Sequence, residues 1–302
     1  MKKAFNQWCF PLDWSWKKVF GLAEKAKFEG IELCLDYVPF FDFLEKNPAI
    51  AAMAASVGAP TGRTKALTYE SSESEFMELK GMASDHGIAI ASMHTQAQMC
   101  WTLMDRDEKM WKTGVDLIKK LIDFAVTMEC RTLLVLTGFV TPEIDYEYAL
   151  KRLEESIWIL KEDAEKKRVR LGLEDIWNKV LYSPLEMRDF IDKFESEYVG
   201  IHFDVGNVLQ YGYPDQWIKI IGKGKQRIVN VHLKDYSELI NNMTGFTYLF
   251  QGDVPWERVM ESLKQTGYDN YLIAEVPPYP FCPEEGIWDI SRKIDILLSG
   301  KY

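Results

Sequence analysis

Four apolar runs in the second half of the chain each end in a side chain able to hold a metal ion: Glu174 after RLGL, Asp204 after GIHF, His232 after IVNV and Glu275 after YLIA. Three carboxylates and one imidazole form a hard, oxygen-rich donor set. It suits Mn²⁺ first and also Mg²⁺, Co²⁺ or Zn²⁺, unlike the thiolate-rich sets that select zinc. Four protein ligands leave coordination positions for two neighbouring oxygens of a small molecule. Any one of the four alone reads as a satisfied buried polar group. Four in succession, separated by 30, 28 and 43 residues, point to one site. In a barrel of parallel strands the carboxyl ends converge on one face, so such residues meet although they are far apart in the chain.

The elements that must position them follow from an alternation of helical stretches with short β-branched runs, as in KAKFEGIELCLD, ASDHGIAIASMHT and TMECRTLLVLTG. Eight strands are predicted: Lys3 to Phe10, Gly30 to Asp36, Ile88 to Thr95, Arg131 to Gly138, Arg170 to Ile176, Val199 to Asn207, Arg227 to Asp235 and Tyr271 to Val276. Amphipathic helices separate them. The one beginning near Asp145 carries Leu150, Leu153, Ile157 and Leu160 at three- and four-residue steps, the face a helix lays on a sheet. The fold class is therefore α/β, a (β/α)8 barrel, with residues 1–302 as one domain. Two connections, Tyr37 to Ser72 and Tyr236 to Pro255, are long and follow strand ends on the ligand face. Such loops serve as lids or substrate walls, and the Ala-rich first one reads equally well as a disordered insertion.

Composition narrows the partners. A net charge of −10 and a pI near 5.1 disfavour nucleic acid, whose binding rests on Lys and Arg displacing counterions. The five cysteines are scattered without a CxxC pair, which implies a reducing compartment. The amino terminus lacks an uninterrupted apolar segment, and no run approaches the length of a spanning helix. A cytoplasmic enzyme without membrane contact is expected, acting on a small polar molecule.

The motifs LGLEDIW, HFDVGN, VHLKD and AEV, in this order, resemble the xylose isomerase-like TIM-barrel sugar isomerases and epimerases, near the ketose 3-epimerases and the sugar-phosphate 3-epimerases. The resemblance covers nearly the whole chain. It implies that Glu174, Asp204, His232 and Glu275 bind a divalent metal, with Glu174 and Glu275 also acting as acid and base on an enediolate. The implied reaction is epimerisation or isomerisation of a ketose or ketose phosphate; loss of a leaving group, as in inosose dehydratase-like relatives, is the alternative. A homodimer or homotetramer is usual in the family. Position 207 is Asn207, as in phosphate-sugar relatives, and Glu238 stands where free-ketose epimerases carry arginine.

Further candidates come from strand position. Glu32 and His94 end strands two and three, where they either bind sugar hydroxyls or serve structurally. His202 lies two residues before Asp204 and so points to the same side of its strand, toward substrate or as support. Lys234 shares the side of His232 and is a candidate for a substrate hydroxyl or phosphate. Asn207, Trp177 and Asn178 lie just past their strand ends, and Trp8, Trp14, Trp16 and Trp101 fall in strand-end loops.

Overall fold

The computed structural model describes residues 1–301 apart from 49, 50, 53, 54, 56–59, 63 and 65. Eight parallel strands close into a barrel: β1 (Lys2–Asn6), β2 (Gly30–Cys34), β3 (Ala89–His94), β4 (Thr132–Val135), β5 (Arg170–Glu174), β6 (Val199–Asp204), β7 (Ile228–Leu233) and β10 (Tyr271–Ala274). They neighbour one another in chain order, and β10 closes onto β1 with Lys2 to Phe5 facing Tyr271 to Ala274. Right-handed crossovers through helices are the ordinary way to join parallel strands. Seven of the eight sequence-predicted strands contain the observed one, the first starting one residue late at Lys3, and all eight overrun its end because the residues past the barrel rim turn into loops that carry the site.

Helix positions follow their sequence signals. Ser72 opens the helix Glu73–Asp85 with a reciprocal cap: its hydroxyl accepts from Glu75 N–H, and Glu75 carboxylate accepts from Ser72 N–H at 2.7 Å. In the helix Tyr146–Lys167, Leu153, Ile157 and Leu160 are fully buried against the sheet, while Leu150 lies at the margin of the core. Burying such side chains is the main stabilising term, of about 1.5–3 kcal/mol each.

The two long connections both return structure to the ligand face. The first contains the helix Val38–Lys46 and a parallel bridge between Asp36 and Thr68; its Ala-rich centre lies partly outside the described residues. The second forms a small antiparallel hairpin, β8 (Asp235–Tyr236) with β9 (Phe246–Thr247). Buried Asp235 pins it, accepting from Val254 N–H at 3.2 Å and from Trp256 Nε1–H at 3.0 Å. All five cysteines are free, with Cys282 exposed and the rest buried. Among the described residues no helix is long and apolar enough to cross a membrane.

Candidate active site and metal centre

Glu174 and Asp204 are the last residues of β5 and β6, His232 is the penultimate residue of β7, and Glu275 follows β10. Their ligand atoms lie within 4.8 Å of one another. His232 Nδ1 stands at the centre, 3.4 Å from Glu174 Oε1, 3.4 Å from Glu275 Oε2 and 3.7 Å from Asp204 Oδ2. Donors about 2.1 Å from a common ion stand roughly 3.0–3.5 Å apart, so the spacing fits a single divalent cation. His232 Nδ1, although buried, makes no well-aligned hydrogen bond, and buried Asp204 Oδ2 is held by the Lys234 ammonium at 3.0 Å. Three carboxylate oxygens converging on one buried imidazole nitrogen, with an ammonium already drawn to two of them, are what a cation site requires.

Local sequence explains how each ligand is aimed. Asp204 ends its strand by capping a short helical turn, Val205–Val208: its Oδ1 accepts from Gly206 N–H at 2.8 Å and Asn207 N–H at 2.9 Å. That leaves Oδ2 for the site. Gly206 is needed because a Cβ there would lie 2.7 Å from the Lys234 carbonyl oxygen. Asp175 fixes the same strand end by accepting from Asp204 N–H at 2.8 Å. His232 is oriented from behind, its Nε2 lying 2.7 Å from Glu32 Oε1, so Nε2–H donates and Nδ1 is left toward the other carboxylates. Asn6 supports Glu32 in turn, donating through Nδ2 at 2.8 Å, and lies 3.3 Å from His94 Nε2.

This brace corrects two sequence expectations. Glu32 and His202 are fully buried and do not reach substrate space. Both point inward as expected, but each sits one inward-facing step below its strand end, and two residues along a strand is about 6.6 Å of depth. The His202 ring packs edge-on against His232 at 4.2 Å, with Nε2 3.7 Å from Glu32 Oε2. Burial, reinforced by His232, pushes the His202 pKa down to about 3, so it stays neutral. Glu32, His202 and His232 form a second group within ligand distance, but it lies off the cavity and its Glu32 Oε1 is occupied by His232 and Asn6. The outer quartet, open to the cavity, is the better metal site.

Electrostatics separate the two glutamates. Burial, helped by the charges of Glu275 and Asp204, pushes the Glu174 carboxyl up to about 7 against the opposing pull of His232. Glu275 is also largely shielded from water, though less so than Glu174, and Lys234 and His232 hold its pKa well below the usual carboxylate range. Lys234 Nζ lies 2.6 Å from Glu275 Oε2 and 3.0 Å from Asp204 Oδ2, bridging two of the ligands.

Through Glu174 and Glu275 the quartet borders a cavity of about 160 Å³, with Asp204 and His232 buried behind them. Of the remaining candidates, His94, Asn207, Lys234, Trp177 and Trp8 line it. Asn178 does not: it is buried, donating to Thr137 Oγ1 at 2.7 Å. Trp14 and Trp16 flank a separate, smaller cavity, and Trp101 packs edge-on against Tyr37. Sequence reasoning missed Asn6, Asp175, Gln96 and Phe246. The last is delivered by the β8–β9 hairpin, its ring 4.8 Å from Lys234 Nζ.

Comparison with known proteins agrees with this arrangement. A family model described as xylose isomerase-like TIM barrel matches residues 20–294. An uncharacterized protein of Methanocaldococcus jannaschii, MJ1311, is 27% identical over 56% of this chain and 58% of its own length. L-ribulose-5-phosphate 3-epimerase UlaE of Escherichia coli O1:K1 is 25% identical over 77% of each chain. Among solved structures, a D-tagatose 3-epimerase-like protein superposes with a TM-score of 0.74 at 16% identity, covering 99% of both chains. The IolI protein with a bound zinc atom superposes at 0.73 with 17% identity, covering 100% of this chain and 99% of that one. With a closed eight-stranded barrel and a family match over most of its length, the chain belongs to the xylose isomerase-like TIM-barrel family.

Proposed function

We propose that this protein is a divalent-metal-dependent epimerase or isomerase of a ketose or ketose phosphate. The observation that carries the reading is the convergence of Glu174, Asp204, His232 and Glu275, with the two glutamates lining the adjoining cavity. Relatives whose names describe sugar 3-epimerases support the substrate class.

Glu174, Asp204, His232 and Glu275 would hold the cation, Mn²⁺ being the best match to three carboxylates and one imidazole. When bound, it supplies positive charge that polarises a ketone and stabilises the oxyanion formed beside it. The chain's own groups handle the proton. One glutamate takes the hydrogen from the carbon next to the ketone as a proton, and the electron pair moves to the carbonyl oxygen to give an enediolate. The other glutamate delivers a proton to the opposite face, the carbonyl reforms, and the configuration at that carbon is inverted. Return of the proton to the former carbonyl carbon gives aldose–ketose isomerisation by the same first step. Asp204 and His232 serve as anchors, with Glu32 and Asn6 holding the imidazole in the tautomer that presents Nδ1.

Incubation with Mn²⁺ and a ketose panel in deuterated water tests this by NMR and mass spectrometry. The expected result is deuterium at one carbon of a product otherwise identical in formula to the substrate. Loss of water would assign the dehydratase chemistry instead, and absence of exchange across the panel with metal bound would refute the reading.

A further inference from the structure

The walls of the substrate cavity carry information that the metal ligands do not. Beyond the quartet, one side of it is apolar, with Leu134, Leu136 and Phe139 from the end of β4 and Ile176 from the end of β5. Among the described residues that line it, Lys234 is the one cation, and its ammonium is already engaged by Asp204 and Glu275. The backbone amides nearest the metal ligands, Gly206 and Asn207 at the start of the helical turn, are consumed by Asp204 Oδ1. Phosphoryl groups are bound by Arg or Lys side chains, or by free amides at a helix start. A dianion placed against this aliphatic wall would lose its hydration without compensation.

One part of the wall is polar and unsatisfied. Gln96 follows β3 and is buried, and neither its Oε1 nor its Nε2 has a nitrogen or oxygen partner. The Cys34 thiol beside it is only a weak one. Trp8 Nε1–H, also on the cavity, is likewise buried without an acceptor. A hydroxyl group both donates and accepts, so one sugar hydroxyl matches the two ends of the amide and a second matches the indole.

Resting on the proposed function above, we infer that the cavity takes an unphosphorylated ketose, held at its hydroxyls by Gln96 and Trp8, with a C–H-rich end, best a deoxy terminus, against Leu134, Leu136, Phe139 and Ile176. The specificity-determining residues are thus Gln96 for a hydroxyl and Leu136 with Ile176 for the terminus.

The test compares a ketohexose, its 6-deoxy analogue and its 6-phosphate on the Mn²⁺-loaded protein, by epimer formation and by calorimetric binding. The deoxy sugar is expected to match or exceed the ketohexose in kcat/KM by up to about tenfold, the scale at which an apolar pocket discriminates a hydroxyl. The phosphate should fall at least about a hundredfold below both, as expected of an uncompensated buried charge. Gln96→Ala should raise KM for the free sugars about tenfold or more with Mn²⁺ affinity unchanged, the signature of a lost ground-state contact. Leu136→Ser should remove the preference for the deoxy terminus. A 6-phosphate processed or bound as well as the free sugar would overturn the inference. If no sugar is turned over, the proposed function fails, and the order of binding still decides the inference: free sugar above phosphate upholds it, the reverse sinks it.

Discussion

The barrel has two mouths, and they differ in a way that size does not capture. At the amino end, the first residues of β3, β4, β5, β7 and β10 rim an open crater of about 780 Å³, nearly five times the volume of the cavity at the carboxyl end. Ala91, a small residue of β3, is among those lining it. Its charged rim is already partly paired, Lys80 with Glu129 at 3.0 Å and the amino terminus with Asp269. At the carboxyl end, by contrast, His232 Nδ1, the Gln96 amide and Trp8 Nε1 are buried and lack a nitrogen or oxygen hydrogen-bond partner. Buried polar groups left unsatisfied in a folded protein cost stability unless a ligand completes them. The comparison therefore assigns chemistry to the smaller mouth and packing to the larger one.

The strongest way to break that contrast is to neutralise a proton carrier. Glu174→Gln and Glu275→Gln are each expected to lower turnover by about 10²–10⁴, the range for general acid–base groups, as read by the rate of epimer formation at saturating Mn²⁺. Retention of most activity in both would remove the glutamates from the mechanism.

Next comes the brace behind the histidine. Glu32 touches only protein, yet Glu32→Gln should weaken Mn²⁺ binding by about 10–100-fold, as loss of a partner orienting a metal-bound histidine does elsewhere. Calorimetric titration checks it. Lys234→Met should act in the opposite direction. Removing an ammonium that competes for Asp204 and Glu275 should tighten Mn²⁺ binding by roughly tenfold, the scale of one charged hydrogen bond, while lowering the melting temperature of the metal-free protein. Unchanged metal affinity would mean that ammonium and cation do not share those oxygens. At the amino end, Arg131→Ala and Arg170→Ala should shift stability by no more than about 0.5 kcal/mol, as surface substitutions usually do, and leave turnover within about twofold. A large loss of activity from either would show that the crater contributes to function.

The ligand quartet was legible because each member closes an apolar run, and a barrel converts strand ends into one surface. Alternation along a strand tells which face a side chain occupies but not how deep it lies. Glu32 and His202 were therefore left open between substrate contact and support, and their depth beneath the quartet favours support. Val205 to Asn207 read as strand because the run is continuous; Asp204 stops it by bonding the amides of Gly206 and Asn207, a choice visible only when the side chain is seen to turn back. Asn6 carried no local signal at all. Its importance arises from closure of β1 beside β2, which places it against Glu32 and His94. Phe246 was hidden for a similar reason, since a loop of unknown shape does not disclose which ring it returns to the cavity.

Electron spin-echo spectroscopy of the Mn²⁺-loaded protein tests the central claim most directly, because it counts nitrogen ligands. The arrangement predicts one coupled imidazole nitrogen per ion, lost in His232→Gln and retained in His202→Gln. Coupling to two imidazoles, or a signal that survives His232→Gln, would place the ion in the inner Glu32–His202–His232 group and contradict the assignment of the outer quartet as the metal site.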